Sequence, residues 1–193
     1  GYINDKGKEK LKPKYDWVEP FSEGLAMVGR VDFSGFIDKS GNVIVPITYD
    51  DAGNFINGFA WVQKGDFYGL VNNHGQLVLP ARYDNVGEMQ NDRIRVQREG
   101  KYGYYSNAIS LKIAFRFDRA KPFENGFAVV TENEKKGLIN RQGKYVLQPQ
   151  FDWISFLNDS LLKLKIDDNY GLLNLKLDTI LPFVYQFVGE LSE

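Results

Sequence analysis

Glycine returns at a fixed interval along this chain. Gly1, Gly35, Gly69, Gly103, Gly137 and Gly171 stand 34 residues apart, with no insertion between them. Each opens the same phrase: GYIN, GFID, GLVN, GYYS, GLIN and GLLN. Fourteen residues on comes an aromatic ring, at Tyr15, Tyr49, Tyr83, Phe117, Phe151 and Tyr185. The next residue is Asp16, Asp50, Asp84, Asp118 and Asp152, then Gln186. Later in the unit GLAMV, GFAWV and GFAVV start at Gly24, Gly58 and Gly126. A period of this size marks an array. One unit cannot bury its own apolar face, and stacking on the next unit completes the core. The chain reads as a single repeat domain over 1–193, with units 1–34, 35–68, 69–102, 103–136 and 137–170 and a truncated sixth at 171–193.

Each unit reads as three short strands, of the types GFID, NVIVP and FAWV. The 19 glycines, 14 phenylalanines and 11 tyrosines suit strands and turns better than helices. The link between the first two strands opens on Asp38, Asn72 or Asn140 and closes on Gly41, Gly75 or Gly143, the preference of a type I turn. The repeat starting at Gly103 departs from this. Its turn, SNAI, has Ile109 where glycine is expected, and a β-branched residue tolerates positive φ badly. The sequence therefore predicts a differently shaped turn there. The Tyr-Asp pair predicts a crossing segment with a single helical turn capped by the aspartate. Grouped across the anchor, FAWVQ, GLVN and QLVLP form an antiparallel meander. VIVP and LVLP are apolar on both faces, which predicts sheets covered on both sides by neighbouring repeats. The expected fold is all-β: tandem three-stranded meanders stacked as an open curved array. The alternative is a propeller-like ring, which normally needs the last strand to complete the first blade. The sequence stops at FVGELSE, before a sixth GxAxV strand, which favours the open array.

The pattern of anchor glycine, V-[IL]-x-P, [YF]-D and F-x-x-G-x-A-x-V resembles the WG-repeat family of bacterial proteins over essentially the whole chain. The resemblance implies a binding or scaffolding role rather than a known activity. The family's Trp-Gly pair becomes Tyr68-Gly69, Tyr102-Gly103 and Tyr170-Gly171 here, but Ser34-Gly35 and Lys136-Gly137. The array is divergent, and the resemblance carries over no particular partner.

Other residues narrow the chemistry. A net charge of −1 gives no broad field for nucleic acid or an anionic membrane. The chain has no cysteine, so no disulfide, thiolate ligand or cysteine nucleophile. No apolar run approaches the roughly 18 residues of a membrane helix. The chain opens on Gly1 rather than Met, so nothing about compartment is read from its first residues. His74, the one histidine, sits in a turn with no nucleophile elbow beside it. Asp50-Asp51 and Asp167-Asp168 read as solvated turns, not as a calcium loop with its closely spaced oxygen ligands. The lysines of KEKLKPK suit an exposed edge strand. No catalytic residue, metal ligand or cofactor motif is assigned.

Strand periodicity selects the candidate contact residues. Ala26, Val28, Ala60, Val62, Ile94, Val96, Ala128 and Val130 repeat one apolar face, which is read as core. The opposite face varies, through Leu25 and Met27, Phe59 and Trp61, Arg93 and Arg95, then Phe127 and Val129. Variation is where recognition can be written, so Trp61, Arg93 and Arg95 are the candidate partner-binding residues. The competing reading is that the arginines stack between sheets. The expected function is a non-enzymatic module for protein–protein interaction or scaffolding. The alternatives are a glycan or small-ligand binder and, third, a propeller-type enzyme.

Overall fold

In the computed structural model, which describes residues 1–189, the repeats are four-stranded antiparallel sheets with strands in chain order. The last four residues of the truncated sixth repeat lie outside the described residues. A short hairpin, β1 (Tyr2–Ile3) and β2 (Glu9–Leu11), comes first. The first full sheet comprises β3 (Trp17–Ser22), β4 (Leu25–Arg30), β5 (Phe33–Asp38) and β6 (Val43–Tyr49). The second comprises β7 (Asp51–Ala52), β8 (Phe59–Lys64), β9 (Phe67–Asn72) and β10 (Leu77–Tyr83). The third comprises β11 (Asn85–Gln90), β12 (Arg93–Arg98), β13 (Lys101–Ser106) and β14 (Leu111–Phe117). The fourth comprises β15 (Arg119–Ala120), β16 (Phe127–Glu132), β17 (Lys135–Asn140) and β18 (Tyr145–Phe151). The fifth comprises β19 (Trp153–Phe156), β20 (Leu161–Ile166), β21 (Asn169–Asn174) and β22 (Thr179–Tyr185). The chain divides into two compact units. One holds Gly1–Glu99 with Asn107–Ile109; the other holds Gly100–Ser106 and the chain from Ser110 onward.

The last three strands of each sheet are the meander expected from the sequence. The first strand is the correction. The segment after Tyr-Asp forms no helical turn, and no helix occurs among the described residues. It pairs instead with the GxAxV strand, as in Val18↔Val28 and Ala52↔Val62. The cause lies in the link to that strand. Glu23-Gly24, Asn57-Gly58 and Asn125-Gly126 take positive φ at both positions (50° and 85°, 52° and 82°, 49° and 84°). That is the primed two-residue turn of a tight hairpin, and it folds the segment back onto its neighbour.

The anchor glycine has a steric reason. A Cβ on Gly69 would lie 2.7 Å from the carbonyl oxygen of Leu79, and one on Gly35 would lie 2.6 Å from that of Val45. Here the fourth strand shifts register against the third and its backbone presses on the glycine.

Packing follows the expected alternation. The repeated apolar face is at most 2% exposed at Ala26, Val28, Ala60, Val62, Ile94, Val96, Ala128 and Val130. In the first unit Leu25, Phe36 and Val45 of one sheet form a core with Ala52, Phe55, Ala60, Val62 and Val71 of the next sheet. In the second unit Val129 and Leu138 join Ile154, Leu162, Leu164 and Leu173 in the same manner. At three places a ring meets another ring 19 positions later. Tyr2 meets Phe21 at 4.7 Å, Phe36 meets Phe55 at 4.8 Å, and Tyr104 meets Phe123 at 4.9 Å between centroids. The fourth strands are covered less evenly than expected. Val45 and Leu79 are buried, while Val43, Leu77 and Leu111 each leave nearly half their surface in water.

The Gly103 repeat keeps the common turn, contrary to expectation. The Ser106 amide donates to the Ser110 carbonyl at 2.9 Å, matching Asp38 to Asn42 and Asn72 to Gln76. Ile109 takes φ 53°, where Gly41 and Gly75 have 87° and 79°. The two flanking strands impose the loop on a residue that resists it. Ser106 also lacks the carboxylate or amide that accepts two loop amides in Asp38 and Asn72, and its hydroxyl is buried without a partner. Replacing Ile109 with glycine should therefore stabilise the chain, by roughly 0.5–1 kcal/mol, because the left-handed cost disappears. Chemical denaturation of the variant checks this. A lower midpoint would contradict it.

Candidate functional site

The recurring aspartate works at a distance from its own segment. Asp16 accepts the Val31 amide at 2.7 Å, Asp50 the Gly65 amide at 2.5 Å, and Asp118 the Asn133 amide at 2.9 Å. Each acceptor holds the tip of the hairpin between the second and third strands of its sheet. Asp118 also receives the Lys101 ammonium and Asp152 that of Lys135, and these bonds hold both carboxyls below the usual range. This is turn chemistry, made in the same way at three of the repeats. Among the described residues no three His, Asp or Glu side chains gather as a metal site would require.

The three sequence-selected residues all lie in the first unit. Trp61 lies on β8 and is half-buried. A Cβ on Gly53 would fall 2.2 Å from its indole nitrogen, so the ring covers that glycine. Tyr68 meets it edge-on at 5.7 Å. Arg95 holds the same repeat slot on β12 and lies over Gly87, whose Cβ position is 3.9 Å from the guanidinium Nε. Arg93, two residues earlier on that strand, donates to the Asp92 carbonyl at 3.0 Å. Both arginines are half-buried, with their Nε atoms out of contact with water.

Sequence reasoning missed the hairpin tips of the first two sheets. Phe33 and Phe67 occupy one repeat slot, just after the tip joining second and third strands, and are 41% and 48% exposed. The Lys64 ammonium sits 5.0 Å from the Phe33 ring centroid and also reaches the Thr48 carbonyl and Asp50. Val31, at the same tip as Phe33, is 77% exposed, and Trp17 alongside is 37% exposed. A tip normally carries polar residues, so apolar side chains in one slot of two successive sheets form a feature that folding does not require. The later repeats place Lys101, Lys135 and Asn169 in that slot. The available signal was an aromatic residue immediately after a two-residue hairpin link.

A profile of the WG containing repeat matches residues 1–29, 35–66, 68–102, 103–135 and 137–170. No curated protein matches the chain. Among solved structures the chain is distantly similar to Hsv2 of Kluyveromyces lactis, with 11% identity, TM-score 0.46, and coverage of 82% of this chain and 59% of that one. It is similar to the extracellular domain of BT3049 from B. thetaiotaomicron, with 12% identity, TM-score 0.38, and coverage of 87% and 28%. It is also similar to PorZ, a surface component of the type-IX secretion system of Porphyromonas gingivalis, with 11% identity, TM-score 0.40, and coverage of 86% and 26%. The chain thus spans less than two thirds of the length of each. Five consecutive matches, each containing its anchor glycine, place the chain in the WG containing repeat family.

Proposed function

We propose that the chain is a non-enzymatic module for protein–protein interaction or scaffolding, and that its partner contact lies at the hairpin tips of the first unit. The observation that carries this is the exposure of Phe33 and Phe67 in equivalent slots, with Lys64 between them. Aromatic side chains, phenylalanine among them, are enriched at protein interfaces relative to the rest of the surface. Trp61, Arg93 and Arg95 have the supporting role in this proposal. Each is half-buried, and Trp61 and Arg95 each cover a glycine alongside them in their own sheet, which suits a structural role.

The test compares two double variants of the full chain, using affinity capture and mass spectrometry of partners from native extracts. Phe33→Ser with Phe67→Ser should leave the melting temperature unchanged and lose the captured protein. Arg93→Glu with Arg95→Glu should lower the melting temperature. Retention of the same partner by the phenylalanine variant would contradict the proposal. So would loss of that partner in an arginine variant of unchanged stability.

A further inference from the structure

The second unit contains a cavity of about 380 Å³ beside Trp153. Its walls include Arg119, Lys121 and Lys136, together with Tyr102 and Thr131. None of the residues lining it is a carboxylate. The nearest aspartates in sequence are committed elsewhere, Asp118 to Lys101 and Asp152 to Lys135. Among the described residues, none of the three cations is in an ion pair. The cavity is therefore positive although the chain as a whole has a net charge of −1.

Trp153 supplies the second element. Its indole is 47% exposed, an unusual position for so large an apolar ring. The Lys136 and Lys121 ammonium groups stand 5.1 and 5.7 Å from the ring. Lys136 is held in place by donating to the Asp152 carbonyl at 2.5 Å, which leaves its other protons free to bind.

The cations are specific to this repeat. Lys136 stands where other repeats have Ser34, Tyr68, Tyr102 and Tyr170. Arg119 stands where other repeats have Trp17, Asp51, Asn85 and Trp153, and Lys121 where they have Glu19, Gly53, Gly87 and Ser155. The fold requires none of the three, because the other repeats form the same sheet without them. The family's aromatic position is thus replaced by a cation at the place where the neighbouring slots have also become cationic.

We propose that this cavity binds a carboxylate carried on a ring with a flat apolar face. The ring lies against Trp153 and the carboxylate is held by Arg119, Lys121 and Lys136. The volume suits a ligand of one or two rings. Both an acidic sugar and an aromatic acid have this chemistry. A sugar presents the C–H face of its ring to the indole, and an aromatic acid presents its π-face.

The test is calorimetric titration of the full chain at low salt with digalacturonate, benzoate, acetate and a neutral disaccharide. At least one of the two ring acids should bind saturably, and acetate and the neutral sugar at least tenfold more weakly. Digalacturonate alone identifies the sugar source, and benzoate alone identifies the aromatic one. Trp153→Ala and Arg119→Gln should each weaken that binding tenfold or more. Both side chains are exposed, so neither change should alter the melting temperature. Binding unchanged in these variants overturns the proposal, as does acetate binding as tightly as a ring acid, or no binding of either ring acid. The site lies in the other unit from the hairpin tips, so its failure leaves the proposed protein contact standing.

Discussion

Replacing Gly69 with alanine should destabilise the chain by about 3 kcal/mol, through a methyl group forced into a closely packed strand pair. The new Cβ would sit 2.7 Å from the Leu79 carbonyl oxygen and 2.9 Å from the Ala81 nitrogen. Both belong to the backbone of β10, which its hydrogen bonds to β9 hold in place. No side chain can rotate away to relieve the contact. At this chain length the loss corresponds to a fall of roughly 6–12 °C in melting temperature. Gly171 provides the internal comparison. Its Cβ would meet the ring of Phe183 at 2.8–2.9 Å, and a ring can turn. Gly171→Ala should therefore cost less than half as much. Thermal unfolding of the two variants side by side checks the pair. Equal losses would show that the anchor glycine is not selected by backbone approach.

That glycine was also the most legible element of the sequence, since a position requiring no side chain accepts one residue type and repeats visibly. The core face was legible for a related reason. Ala26 and Val28, and their equivalents, alternate with residues that vary, and alternation is the signature of a strand. The first strand of each sheet was not read, because its one constant feature is a single apolar residue, at Val18, Ala52, Val86, Ala120 and Ile154, with no alternation around it. Its signal lay outside it, in the dipeptides Glu23-Gly24 and Asn57-Gly58, whose primed turn dictates a hairpin. The turn at Ile109 was misjudged in the opposite direction. Local preference argued against the common shape, but pairing of the flanking strands outweighed a cost of about 1–2 kcal/mol. The contact surfaces were hardest to read. Trp61 and Arg95 are legible as variable positions, but their exposure depends on what covers them. The cations around Trp153 come from segments 15–17 residues apart in sequence and converge only in the folded sheets.

Phe55→Ala is expected to have the other large effect, about 3–5 kcal/mol, by opening a cavity between two sheets. Phe55 is 1% exposed and packs edge-on against Phe36, itself 1% exposed, with an interplanar angle of 77°. Phe36 lies on β5 of the first full sheet and Phe55 in the link between β7 and β8 of the second, so the loss falls on the contact that joins the two sheets. Phe21 holds the equivalent slot one repeat earlier but is only half-buried against Tyr2, and Phe21→Ala should cost clearly less. Denaturant unfolding of the two variants measures the difference. Equal costs would mean that burial between sheets does not set the stability of this slot.

The first full sheet is joined to the second by a core in which Phe36 meets Phe55, 19 positions later. A double-mutant cycle on Phe36→Ala and Phe55→Ala measures that contact directly. The structure predicts a coupling of about 1 kcal/mol or more, because the second substitution removes a contact the first has already broken. Costs that add to within about 0.3–0.5 kcal/mol would contradict it, since independent sites behave that way.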